Sequence, residues 1–67
     1  MKKGDLGHLI KARRKVLGLS ITTLAEYTGL SRTTISDIEL GKTNPRLDVL
    51  NEIFRFLNLE MKVEVKK

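Results

Sequence analysis

The sequence predicts an all-α fold: a compact domain of four to five short helices, with a C-terminal β-strand that pairs across a dimer. Three observations predict it. Apolar residues recur at helical spacing in four successive segments, serines and glycines stand where helices start and stop, and the last nine residues switch to a period of two. At 67 residues the chain is long enough for one domain. A domain of this size buries roughly 60% of the surface its unfolded chain exposes. It has no cysteine, which excludes disulfides and thiolate metal sites. Pairing with a second copy is then the simplest way to add core. Residues 1–58 are expected to form the globular domain and residues 59–67 the dimerisation strand.

In the first segment Leu6, Leu9, Ile10 and Leu17 share one side, Asp5 is placed to cap it, and Gly18 ends it. Ser20 caps a second helix, about Ile21 to Thr28, that buries Leu24 and Ala25. Gly29 breaks the pattern at a corner that needs positive φ, and Leu30 plugs the corner. Ser31 caps a third helix with Ile35 and Ile38 on its inner face, and Gly41 closes it. Asn44-Pro45 marks a loop. A fourth helix, about Leu47 to Leu57, sets Leu47, Leu50, Ile53, Phe54 and Leu57 at helical spacing. Beyond it, Leu59, Met61, Val63 and Val65 alternate with charged residues as in a strand. A lone strand leaves its backbone unpaired, so the expected partner is the same strand of a second subunit; the competing reading is a polar tail.

The net charge of +5 is unevenly placed. Residues 1–17 carry Lys2, Lys3, Lys11, Arg13, Arg14 and Lys15 against Asp5 alone, and the remaining residues balance. Such a helix suits a polyanion, and equally a solvated face. The segment Ser20 to Glu39 says more. Two short helices meet at a glycine, Ala25 allows a close crossing, and Leu24, Leu30, Ile35 and Ile38 complete an apolar skeleton. That is the pattern of a helix-turn-helix, whose second helix presents its N-terminal half to the DNA major groove. The exposed positions expected on that helix are Arg32, Thr33, Thr34, Ser36 and Asp37, all polar.

Gly18-Leu19-Ser20, Leu24-Ala25, Gly29-Leu30-Ser31-Arg32, Ile35-Ser36, Ile38-Glu39, Gly41-Lys42 and Asn44-Pro45 together resemble the Cro/C1-type (XRE) helix-turn-helix family over Leu6 to Leu57. The resemblance implies a lambda-repressor-like domain and a homodimer that binds a palindromic operator in double-stranded DNA. The ending, from Leu57 through the alternation to Val65, is similar to HipB-type antitoxins, whose terminal strands form a small sheet over the dimer. That likeness implies an autoregulating antitoxin of a HipBA-like toxin–antitoxin system, with a HipA-like kinase toxin as a further partner. The alternatives are a stand-alone phage- or host-type regulator, or mainly a toxin-neutralising protein-binding module.

Roles carried over from the resemblance fall on matching positions. Arg32, Thr33 and Asp37 would contact bases: arginine forks onto guanine, threonine offers a hydroxyl and a methyl, and a carboxylate accepts from cytosine. Asp37 reads equally as a solvent-facing helix residue. Ser20, Thr22, Thr34, Ser36, Lys42, Thr43, Asn44 and Arg46 would contact phosphates and set register. Arg14 and Glu39 match a structural ion pair between the first and third helices. Leu59, Met61, Val63 and Val65 would carry dimerisation. Two positions depart from the family: Ile21 stands where a glutamine is usual, and Arg13 where an apolar residue is usual, which allows a rotated first helix or an Arg13 contact to DNA.

Catalysis is not expected. His8 is the single histidine, and no HExxH, Walker loop or dinucleotide fingerprint is present. No metal and no cofactor are expected. No apolar stretch approaches the roughly 18–20 residues needed to span a bilayer, and the Met-Lys-Lys start lacks a signal-peptide apolar region. The expected location is cytoplasmic and nucleoid-associated, for a protein of prokaryotic or phage origin, with no membrane partner.

Overall fold

Four helices form in the computed structural model, which describes residues 2–62 and 65: α1 (Lys3–Val16), α2 (Ile21–Thr28), α3 (Arg32–Glu39) and α4 (Leu47–Leu57). Each expected helical segment is helical, and among the described residues there is no strand. None of the helices described is long and apolar enough to cross a membrane.

The core takes residues from every helix: Ile10, Leu24, Ala25, Ile35, Ile38, Ile53, Phe54 and Leu57. Each fully buried aliphatic side chain contributes about 1.5–3 kcal/mol. α1 departs from its expected details. It starts before Asp5, which sits in the first turn and accepts the Lys2 backbone N–H at 3.2 Å. An acidic side chain there satisfies a loose donor as well as a preceding cap does. Of the expected stripe Ile10 is fully buried and Leu6 packs on the core, while Leu9 and Leu17 each stay 40% exposed; Gly7 and Arg14 complete the buried face of α1. A glycine and an arginine follow the helical repeat here but carry no hydrophobic signal.

Gly7 faces inward because two backbones meet there. A Cβ added at Gly7 would lie 2.8 Å from the Glu39 carbonyl carbon and against the carbonyl oxygens of Ile38 and Glu39. α1 therefore rests directly on the last turn of α3. Two serine caps set the starts of the central helices. Ser20 Oγ accepts the Thr23 N–H and Ser31 Oγ accepts the Thr34 N–H, each at 3.0 Å. Between them Gly29 takes φ 74°, a left-handed value that glycine adopts without cost, and its N–H closes onto Ala25 at 2.9 Å.

α4 spans Leu47–Leu57 as expected, but Leu47 is 62% exposed because the helix enters from the loop side, outside the core. Arg13 has a structural partner: its Nε donates to the Leu57 carbonyl at 2.9 Å and so caps the C-terminus of α4 from α1. A contact of Arg13 with DNA is not needed to explain it. Asn58 turns left-handed with φ 55°, and the Leu59 N–H donates to the Phe54 carbonyl at 2.9 Å. Leu59 thus packs on its own chain's core. Met61 lines an apolar groove with Leu6, Leu9, Leu50 and Phe54, while Val65 is exposed. Val63, the fourth residue assigned to dimerisation, lies outside the described residues.

Candidate nucleic-acid interface

α2 and α3 meet at the Gly29 corner so that the start of α2 lies beside the outer face of α3. One shallow groove is lined by Ile21 and Thr22 from α2 and by Arg32, Thr33, Ser36 and Asp37 from α3. Thr22, Arg32 and Thr33 are exposed, and Ser36 and Asp37 are half-buried on the groove floor. The three residues expected to read bases are therefore brought together with two of those expected on phosphates. Thr34 differs. It is half-buried, and its hydroxyl lies 2.8 Å from Ser31 Oγ, so the side chain is held in the helix start and does not face the groove. Ser20 is engaged in the same way with Thr23, at 2.9 Å between hydroxyls. Capping by Ser20 leaves the first N–H groups of α2, at Ile21 and Thr22, directed out of the helix end, where the dipole favours an anion.

The angle of α3 is fixed from behind. Arg14 Nε and a terminal nitrogen donate to the two Glu39 carboxylate oxygens at 2.8 and 3.0 Å, a bidentate fork. The other terminal nitrogen of Arg14 donates to the Leu19 carbonyl at 2.8 Å, one residue before the Ser20 cap. A single guanidinium thus ties α1 to the end of α3 and to the start of α2. Both partners are buried, Arg14 at 7% and Glu39 at 5% exposure. The hydrogen bonds that Arg14 donates to Glu39 raise the Arg14 pKa above its usual value and outweigh the opposing effect of burial. The structural ion pair read from the sequence is present.

A second polar cluster follows α3. Lys42, Asn44 and Arg46 are exposed and Thr43 is half-buried. Arg46 lies 3.4 Å from Asp48, both side chains being largely in water. Asn44 and Pro45 line a depression with Lys2, Lys3, Leu6 and Leu50, so the loop and the start of α1 share one surface. The sequence pattern counts Lys2 and Lys3 as part of a basic run without placing them at this loop. It gives no role to Leu40, which is 61% exposed at the end of α3. Its spacing of four from Ser36 and seven from Thr33, one helix face, was the available signal.

Residues 10–63 match the HTH_3 helix-turn-helix family. The chain is 43% identical over 58 residues to the ImmF control region 10 kDa protein of Bacillus phage phi105, covering 87% of this chain and 64% of that protein. It is 42% identical over 52 residues to an HTH-type transcriptional regulator of Methanothermobacter thermautotrophicus, covering 78% and 75% of the two chains. Among solved structures, the restriction-modification controller protein C.AhdI from Aeromonas hydrophila superposes with a TM-score of 0.83 at 29% identity, covering 87% of this chain and 88% of that one. Each of the three is named as a control or regulatory protein, and none as an enzyme. Caps, corner glycine, buried fork and family match agree: this chain belongs to the HTH_3 helix-turn-helix family, the Cro/C1-type group its corner residues resemble.

Proposed function

We propose that the chain is a sequence-specific DNA-binding transcriptional repressor that acts as a homodimer on a palindromic operator. The carrying observation is the groove in which Arg32, Thr33, Ser36 and Asp37 of α3 stand beside the uncapped first N–H groups of α2. α3 enters the major groove with Arg32 on a guanine, Thr33 on a neighbouring base and Asp37 on a cytosine amine. The start of α2, through Ser20 and Thr22, and the loop residues Lys42, Thr43, Asn44 and Arg46 hold the phosphates on either side. Ser36 adds a sugar-phosphate contact, and Thr34 contributes by fixing the start of α3. Two recognition helices of a dimer then read half-sites about 34–36 Å apart, one helical turn.

The apolar groove of Leu6, Leu9, Leu50, Phe54 and Met61, together with the alternating tail, supports dimerisation. The names of the phage control-region relative and the restriction-modification controller favour a stand-alone phage- or host-type regulator. The antitoxin reading, with its HipA-like partner, is supported by the ending from Leu57 to Val65 alone.

The test is Arg32→Ala on an operator selected from random-sequence DNA. Loss of a bidentate guanine contact weakens that site by about 1–3 kcal/mol and leaves non-specific DNA binding nearly unchanged. Equal weakening on every sequence would make Arg32 a phosphate contact. Absence of any selected sequence would defeat the proposal.

A further inference from the structure

We propose that Ile21 is a specificity-determining residue that contacts the 5-methyl group of a thymine in each half-site. The inference rests on the DNA-binding reading above and adds a base preference to it. Of the six residues lining the α2–α3 groove, Ile21 is the one whose side chain is wholly hydrocarbon; the others are two threonines, a serine, an arginine and an aspartate. It is not a stray surface residue. It packs against the core cluster while remaining half-buried, so its inner side is anchored and its remaining surface forms groove wall.

Two physical features suit this position to a methyl group. A β-branched side chain at the first position of a helix has restricted χ1 freedom, and core packing restricts it further, so little entropy is lost when a ligand docks. The thymine methyl is the hydrocarbon feature that the major groove displays, and it favours an apolar neighbour. Arg32, Ser36 and Asp37 supply charge and hydrogen bonds on the same wall, and Ile21 supplies what they lack. Thr22 and Thr33 also carry methyl groups in this groove, and the test must separate them from Ile21.

The experiment uses the full chain and a DNA site selected from a random pool, with each thymine replaced in turn by deoxyuridine, which removes the 5-methyl group alone. One thymine position per half-site is expected to lose about fourfold in affinity, the value of one buried methyl group. In Ile21→Ala the thymine and deoxyuridine sites should bind alike, and in Thr33→Ser the fourfold difference should persist. Circular dichroism checks that each variant folds. If Ile21→Ala does not, Ile21→Val, which removes one carbon, should shrink the difference. Insensitivity at every thymine overturns the assignment, as does a difference that survives in Ile21→Ala or disappears in Thr33→Ser. A wild-type chain that selects no site overturns the DNA reading itself, a separate and recognisable result.

Discussion

Replacing Glu39 with alanine should remove the acceptor from a guanidinium that is almost entirely screened from water. Arg14 and Glu39 are 7% and 5% exposed, and no buried side-chain polar atom among the described residues lacks a hydrogen-bond partner. Glu39→Ala strips two of the three donor contacts and leaves the bond to Leu19. Breaking one side of a buried pair costs about 3–5 kcal/mol, because the remaining charge is uncompensated. At about 0.05–0.15 kcal/mol per residue, a domain of this length has roughly 3–10 kcal/mol in total. In a small domain each kcal/mol moves the melting temperature by about 4–8 °C. The expected result in a circular-dichroism melt is a fall of at least about 12 °C, up to loss of the folded state at 25 °C.

Glu39→Gln keeps the shape and one carbonyl acceptor, and should fall between the alanine variant and the parent. The pH dependence has a definite sign. Arg14 is held above its ordinary pKa in the fold, so its contribution is complete below the unfolded value and is lost only as pH rises through the folded one. The gap between parent and Glu39→Ala should therefore stay flat between about pH 7 and pH 10. A melting temperature for Glu39→Ala within about 4 °C of the parent would refute the reasoning, since the fork would then be contributing no more than an exposed pair does.

Three further outcomes are expected. Gly7→Ala should lower the urea midpoint by the equivalent of about 1–3 kcal/mol from overpacking, although helix propensity alone would raise stability by about 1 kcal/mol; the sign of the change decides between them. Arg13→Ala should lose about 1 kcal/mol from the missing cap on Leu57 while leaving the slope of log affinity against log salt unchanged, as befits a side chain not on DNA; a shallower slope would put Arg13 at a phosphate. Deletion of residues 59–67 should shift the proposed dimer towards monomer in sedimentation. An unaltered dimer would place the interface on the α1–α4 groove.

Much of the fold was legible locally. Ser20, Ser31, Gly29 and Gly41 act through bonds and torsions that span three or four residues, so residue type at a given spacing carries the information, and the structure places caps and turns at these residues. Ile35, Ile38, Ile53, Phe54 and Leu57 were legible for a related reason, since burial follows helical period when the residues are apolar. The common outer face of Arg32, Thr33, Ser36 and Asp37 was legible because position around one helix is a matter of angle alone.

The tertiary structure decided what depends on two segments meeting. Gly7 is buried because α3's carbonyls lie on it, and Arg13 is spent on the end of α4. Leu9 and Leu47 look like core by spacing and stay exposed, because which side of an amphipathic helix is covered depends on where its neighbours stop. Sequence alone determined the four helices, the serine caps of α2 and α3, the glycine corner and the polar outer face of α3, since each is fixed by torsions and periodicity within one stretch of chain. The packing of α1 on α3, and the placing of Ile21 and Thr22 beside Arg32, came only with the assembled chain, because a contact between distant residues has no local signature.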